Sequence, residues 1–178
     1  GIDSRTAFAG TLHVAERYSE LEAAFDAAVA GRLPMPQPGE FYCHSLTDPS
    51  ILGSDLAARG WQTLTYFGVQ TPAALFAGDD GTSARAAVDN ALAALDEHLT
   101  EPLRDCLARD ANGDPCIEFM TPQDIEDALA MPGGHIYHGC VDWPWLDADD
   151  DPTTPAERWG VATATRSVLL CGSGARRG

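Results

Sequence analysis

Apolar residues recur along this chain in two rhythms. Thr11 to Val14 (TLHV) is a short β-branched and apolar run that predicts a strand, with His13 and Arg17 beside it. Leu21, Ala24, Phe25, Ala28 and Val29 then repeat at helical spacing; a Ser19/Glu22 capping-box pair opens the pattern and Gly31 closes it, predicting a helix. Proline at 34, 36 and 38 fixes φ and removes three backbone donors, so this stretch is an extended connection. Phe41 to His44 and Trp61 to Val69 predict further strands, with turn residues Asp48-Pro49-Ser50 and Gly53 between them. Together these runs suggest an antiparallel sheet.

In the second half, Thr71 and Pro72 open a short helix to about Phe76, and Gly78 to Gly81 is a turn. Ser83 to Leu107 carries the longest helical stripe, through Ala87, Val88, Ala91, Leu92, Leu95 and Leu99, with Pro102 placed to kink or split it. Asn112-Gly113 turns the chain into a short strand, Ile117 to Met120. Thr121-Pro122-Gln123-Asp124 then starts a helix that stops near Met131, ahead of Pro132-Gly133-Gly134. The segment HIYHGCVDWPW reads as a loop or edge strand, Asp147 to Pro155 as a polar surface connection, and Ser167 to Cys171 as a last, buried-type strand. The fold class that follows is α+β (mixed α/β), with a largely antiparallel mixed sheet and flanking helices.

Composition narrows the chemistry. With 178 residues, 44% hydrophobic and 21% charged, the chain has the length of one ordinary domain, which typically buries on the order of 70% of its unfolded surface. Asp and Glu number 27 against 11 Lys and Arg, a formal charge of -16, so nucleic acid and anionic membranes are poor partners, and peripheral membrane contact is not indicated. Every basic residue is Arg, which excludes a Lys Schiff base, a Lys nucleophile and a Lys-bearing P-loop within this chain. Five Cys without a CxxC pair fit a reducing cytoplasmic setting. No apolar run approaches the roughly 20 residues a bilayer-spanning helix needs. Gly1 in place of an initiator Met, and a glycine-rich ending straight after an apolar run, give the expectation of a piece of a longer protein.

Two segments carry candidate chemistry. In SVLLCGSGARRG, residues 167–178, Gly172 and Gly174 allow positive φ and close approach of main-chain N–H groups to an anion. Arg176 or Arg177 can add bidentate hydrogen bonds to phosphate or carboxylate oxygens. The same residue types also make a tight surface turn with solvated arginines, and spacing alone favours that reading. In MPGGHIYHGC, residues 131–140, Gly133 and Gly134 permit close approach to a flat ligand, and His135, Tyr137 and His138 can stack or donate. His135, His138 and Cys140 form a single cluster without a distant second pair, a weak zinc signature, and no metal is expected. Cys43-His44-Ser45 on a strand would point alternately to opposite faces, which precludes a shared proton. Trp143, Pro144 and Trp145, with Trp61, Tyr66 and Phe67, can line an apolar pocket, although core packing suits most of them better. No Asp/Glu pair stands out as an acid/base couple, and no catalytic residue is assigned.

The segments MPGGHIYHG, ERWGV and SVLLCGSGARRG together resemble the C-terminal part of the phytoene dehydrogenase-like FAD-dependent oxidoreductases, particularly actinobacterial members. GTLHVAERYSELEAAF, FYCHSLTDPSIL and QTLTYFGVQTPAALF resemble substrate-domain segments of that family in the same order, so the resemblance covers nearly the whole chain. It implies a flavoprotein with an N-terminal dinucleotide-binding fold and an inserted substrate domain. A G-x-G-x-x-G turn leading into a helix does not occur here, so the N-terminal dinucleotide-binding domain would be missing and only part of the FAD pocket present.

The resemblance implies that residues 1–130 are the substrate domain. Residues 131–178 would return to an incomplete FAD-binding domain through its C-terminal strand and glycine turn. Gly172, Ser173, Gly174, Ala175, Arg176 and Arg177 would lie against FAD, with Gly133, Gly134 and His135 nearer the isoalloxazine. The implied reaction is hydride removal from a hydrophobic small molecule, isoprenoids and polyenes being the types considered, carried out by the intact parent rather than by this piece. The rival reading is a non-catalytic binding or interaction module that retains the substrate-domain fold. A hydrolase would need G-x-S-x-G, which GSGAR does not supply.

Overall fold

The computed structural model describes residues 2–78, 80–138, 143, 145–173 and 175. The chain divides into two compact units, residues 1–119 and 120–178.

The first unit begins with a one-turn helix α1 (Ser4–Ala7), which sequence periodicity does not reveal; Asp3 caps it by accepting from the Thr6 amide. Strand β1 (Thr11–Val14), helix α2 (Tyr18–Val29) and strand β2 (Gly39–Tyr42) follow, then helix α3 (Ser54–Ala58), strand β3 (Thr65–Gly68) and the long helix α4 (Thr82–Asp96). The strands form one antiparallel sheet in the order β1-β2-β3. Leu12 faces Phe41, and Phe41 faces Tyr66, so an apolar row crosses all three strands. Period-two alternation puts His13, Glu40, Tyr42 and Phe67 on the opposite face.

Val14, Phe41, Ala94 and Leu95 form the buried core, where β1 and β2 meet α4, with Leu12, Leu64, Tyr66, Leu99 and Leu103 packed against them. The inner face of α4 consists of Ala84, Asn90, Ala91, Ala94 and Leu95, small residues that let the helix come close. Asn90 is the polar member. Its amide donates to the Pro34 carbonyl at 2.9 Å and ties the proline-rich connection to the core. Pro34 and Pro38 are fully buried, and Gln37 between them donates to the Val69 carbonyl at 2.8 Å. The extended proline segment is therefore a packed structural element.

Several expectations are corrected in detail. Helix α2 starts before Ser19: Arg17 is its N-cap, and Glu20 rather than Glu22 accepts the orphan amide of Arg17, at 2.9 Å. Phe25 and Val29 on its apolar stripe are exposed. The long helix ends at Asp96, whose carboxylate accepts from the Leu103 amide at 2.8 Å as the chain turns at Pro102 into a 3₁₀ turn, Leu103–Cys106. Ile117 to Met120 forms no strand. The chain before it closes a tight loop on Asp110, which accepts from the amides of Asn112 and Asp114, and pairing is confined to an Arg109/Pro115 bridge.

The second unit holds helix α5 (Pro122–Leu129), with Thr121 as N-cap, and a short helix α6 (Pro155–Arg158) that begins where the polar connection from Asp147 ends. Ser167 to Cys171 is not a buried strand. One bridge joins Leu169 to Ala162, the Thr163 hydroxyl takes up carbonyls that a ladder would use, and Val168, Leu169 and Leu170 are exposed. The architecture is thus mixed α+β, with a small antiparallel sheet flanked by helices.

Candidate functional site

The glycine loop after α5 is built from both ends of that helix. At the N-terminus the Thr121 hydroxyl accepts from the Asp124 amide at 3.2 Å, while the Asp124 carboxylate accepts from the Thr121 amide at 2.8 Å and its hydroxyl at 2.6 Å. At the C-terminus Ala130 turns into the left-handed region, φ 54°. Gly133 and Gly134 then take φ of 64° and 65°. A Cβ on Gly134 would lie 2.6 Å from the Pro122 backbone, so this glycine permits the loop to pack on the start of its own helix. Gly133 faces open space.

All three amides of this loop are engaged internally. Gly133 donates to the Glu126 carboxylate at 2.9 Å, Gly134 to the Met131 carbonyl at 2.8 Å, and His135 to the Pro132 carbonyl at 3.2 Å. His135 Nδ1 accepts from the Tyr137 amide at 3.1 Å, which places the proton of a neutral ring on Nε2. The rings of His135 and Tyr137 are 5.7 Å apart. The loop thus presents a ligand with the bare backbone of Gly133 and the edge of an imidazole, not with a cradle of free N–H groups.

In the C-terminal segment Gly172 has φ 79° and open space where a side chain would stand, while Ser173 is exposed. The Gly172 carbonyl accepts from Ala175, which is buried, at 3.0 Å. Gly174, Arg176 and Arg177 lie outside the described residues, as does Cys140 of the weak zinc set. Among the described residues no hydrogen bond joins the 133–135 loop to the 172–175 turn.

Cys43-His44-Ser45 is not strand. His44–Leu46 is a 3₁₀ turn in which the Ser45 hydroxyl donates to Gln62 Oε1 at 2.7 Å and accepts from the Thr63 amide at 2.8 Å. The His44 ring lies nearly parallel to that of Tyr42, at 5.7 Å. Ser45 is thereby a structural pin, and Cys43 Sγ meets only its hydroxyl, at 3.8 Å. Of the aromatic residues, Tyr66 belongs to the core, where burial pushes its hydroxyl pKa well above the usual range. Phe67, Trp143 and Trp145 are exposed.

One grouping was not legible as a site. A cleft of about 470 Å³ in the first unit is lined by His13, Glu16, Arg17, Glu20, Glu97 and His98, among others. The sequence marks His13 and Arg17 as neighbours of a strand, but only the register that sets His13 opposite Glu40 reveals the convergence.

No family model matches the chain, and no solved structure matches it. An uncharacterized protein of Mycobacterium tuberculosis (strain ATCC 25618 / H37Rv) is 51% identical over 179 residues, covering 99% of this chain and 33% of that protein. A Mycobacterium bovis protein shows the same identity and coverage. The chain spans about a third of the length of these relatives. The rat protein named pyridine nucleotide-disulfide oxidoreductase domain-containing protein 2 is 29% identical over 160 residues, 89% of this chain and 25% of that protein. The chain is therefore distantly similar to an oxidoreductase domain protein. Among the described residues, no helix is long and apolar enough to cross a membrane.

Proposed function

We propose that this chain is the substrate-domain and C-terminal part of an FAD-dependent oxidoreductase of the phytoene dehydrogenase-like type, which removes hydride from a hydrophobic small molecule. Residues 1–130 serve as the substrate domain and residues 131–178 as the return to the flavin-binding domain. The observation that carries this reading is the similarity, along 89% of the chain, to a protein whose name is that of an oxidoreductase domain.

Two features of the second unit support it. Trp145, Trp159 and Leu169 are each about 60% exposed, large apolar side chains that suit contact with the remaining two thirds of a relative-length protein. Gly133 and Gly172 both present backbone without a side chain to open space, which suits a flat ligand. The fit is one of shape. The amides of Gly133, Gly134, His135 and Ala175 already have partners, so in this reading oxygen contacts to the dinucleotide come from Arg176, Arg177, the other amides of the glycine turn and the rest of the parent protein.

When bound, the flavin supplies the hydride acceptor, and the protein orients it and keeps water away. His135, with Nδ1 held by the Tyr137 amide, can offer only its Nε2–H as a donor when neutral.

The test uses the parent-length protein. Gly172→Asp puts a side chain and a negative charge where backbone should meet ligand, and Arg176→Ala removes a charge-assisted donor worth roughly tenfold or more in affinity. Both should lower the flavin content of purified protein; in the flavin-free protein Arg176→Ala should leave the melting temperature unchanged, while Gly172→Asp also adds the strain of a side chain at φ 79°. Full flavin occupancy in both variants would overturn the assignment of this segment.

A further inference from the structure

His13 and Glu40 face each other across β1 and β2, on the sheet face turned away from the core. Directly after β1, Ala15 adopts φ 53°, a left-handed turn that brings Glu16 back over His13. The result is a convergence of three ligand atoms. His13 Nδ1 lies 2.6 Å from Glu16 Oε2 and 3.6 Å from Glu40 Oε1, and the three atoms fall within 4.8 Å of one another. The Tyr42 hydroxyl, two residues along β2 on the same face, donates to the other oxygen of Glu40 and orients that carboxylate.

Two carboxylate oxygens thus converge on one imidazole nitrogen, the donor types and spacing with which a protein holds a cation. Arg17, also in the cleft wall, pairs with Glu20 at 3.7 Å. Two of the trio, His13 and Glu16, line the 470 Å³ cleft, whose wall also carries Glu20, Glu97, His98 and Arg17. The trio is only partly buried, so a cation held there would keep open coordination positions facing the cleft.

We propose that His13, Glu16 and Glu40 form a binding site for a divalent transition-metal cation of the Mn²⁺, Co²⁺ or Zn²⁺ class. Mixed imidazole and carboxylate donors select such borderline ions over Ca²⁺ and Mg²⁺, which prefer all-oxygen ligands. Tyr42 is a positioning residue that acts through Glu40, in the manner of the outer-shell partners of metal-bound carboxylates. The site stands independently of the flavin reading, since none of its residues belongs to the 131–178 segment.

Titration of the 178-residue chain with Co²⁺, followed by its visible ligand-field absorption, and with Zn²⁺ by calorimetry tests this directly. Saturation at one equivalent is expected, with Mg²⁺ failing to compete at equal concentration. His13→Ala and Glu40→Gln should each weaken binding by more than about tenfold, Tyr42→Phe by about tenfold, and Glu97→Gln by far less. Far-UV circular dichroism of the metal-free variants separates loss of ligation from loss of fold, and Glu16→Gln provides a ligand variant outside the sheet. Absence of saturable binding, or binding that survives both His13→Ala and Glu40→Gln, would overturn the proposal.

Discussion

The ring of Tyr66 occupies the space that a side chain at Gly39 would need. A Cβ there would stand 2.6 Å from the ring and 2.3 Å from the Phe67 carbonyl oxygen. From this position the Tyr66 hydroxyl donates to the Pro38 carbonyl at 2.9 Å, and its ring packs on Phe41 at 4.5 Å between centroids. One glycine therefore sets the spacing of β2 and β3 and the anchorage of the proline segment. Gly39→Ala should destabilise the first unit by about 1–3 kcal/mol through overpacking, read as a drop of roughly 2–4 °C in melting temperature per kcal/mol. An unchanged melting temperature would show that the sheet adjusts freely at this point.

Asn90 holds the opposite end of the proline segment. Asn90→Ala leaves the buried Pro34 carbonyl without its donor and should cost about 1–3 kcal/mol, measured by urea unfolding. Amide exchange should rise at Gln37 and in residues 39–42, the segment that follows the Pro34 anchor.

Gly133 and Gly134 share a left-handed φ but differ in surroundings. Gly133→Ala adds only the conformational strain of about 1–2 kcal/mol. Gly134→Ala adds the same strain and an overlap with Pro122, so it should be clearly the more damaging of the pair, with increased exchange of the α5 amides as the readout. Equal effects would contradict the packing of this loop on its own helix.

Acid should loosen the second unit at its caps. The Thr121 hydroxyl and amide hold the Asp124 carboxyl below its ordinary pKa, and the hydroxyl and amide of Thr153, with the Thr154 amide, do the same for Glu157. A folded-state pKa below the unfolded one contributes stability that is fully present above the ordinary carboxylate range and is lost as pH falls through the folded value. Amide protection of α5 and α6 should therefore be flat from about pH 7 to about pH 5 and fall below about pH 4. In Thr121→Ala the acid-dependent part of this loss should shrink for α5, because the hydroxyl donor to Asp124 is gone while the backbone amide of residue 121 remains.

The elements legible from sequence were those whose cause is local. Thr121-Pro122 with Asp124 specified a helix start, TLHV matched β1 at both ends, and three prolines excluded a ladder. Elements that depend on partners were misread. SVLL has the residue types of an inner strand, yet among the described residues its backbone pairing is with 161–162, and it remains exposed. The stripe on α2 implied burial of Phe25, while the side chain that reaches the interior is the small Ala24. Of the site residues, the positive φ of Gly172 followed from residue type, but the engagement of the 133–135 loop amides did not, because it depends in part on Glu126, seven residues before Gly133. The His13, Glu16 and Glu40 convergence spans a strand register that no local pattern encodes.

The visible absorption spectrum of the purified parent-length protein tests the central claim, that this chain is one part of a flavin enzyme, most directly. The account expects flavin absorbance at one equivalent per chain in the parent-length protein and none in residues 1–178 alone. A colourless parent-length protein that takes up no added FAD, or stoichiometric FAD on residues 1–178 by themselves, would contradict it.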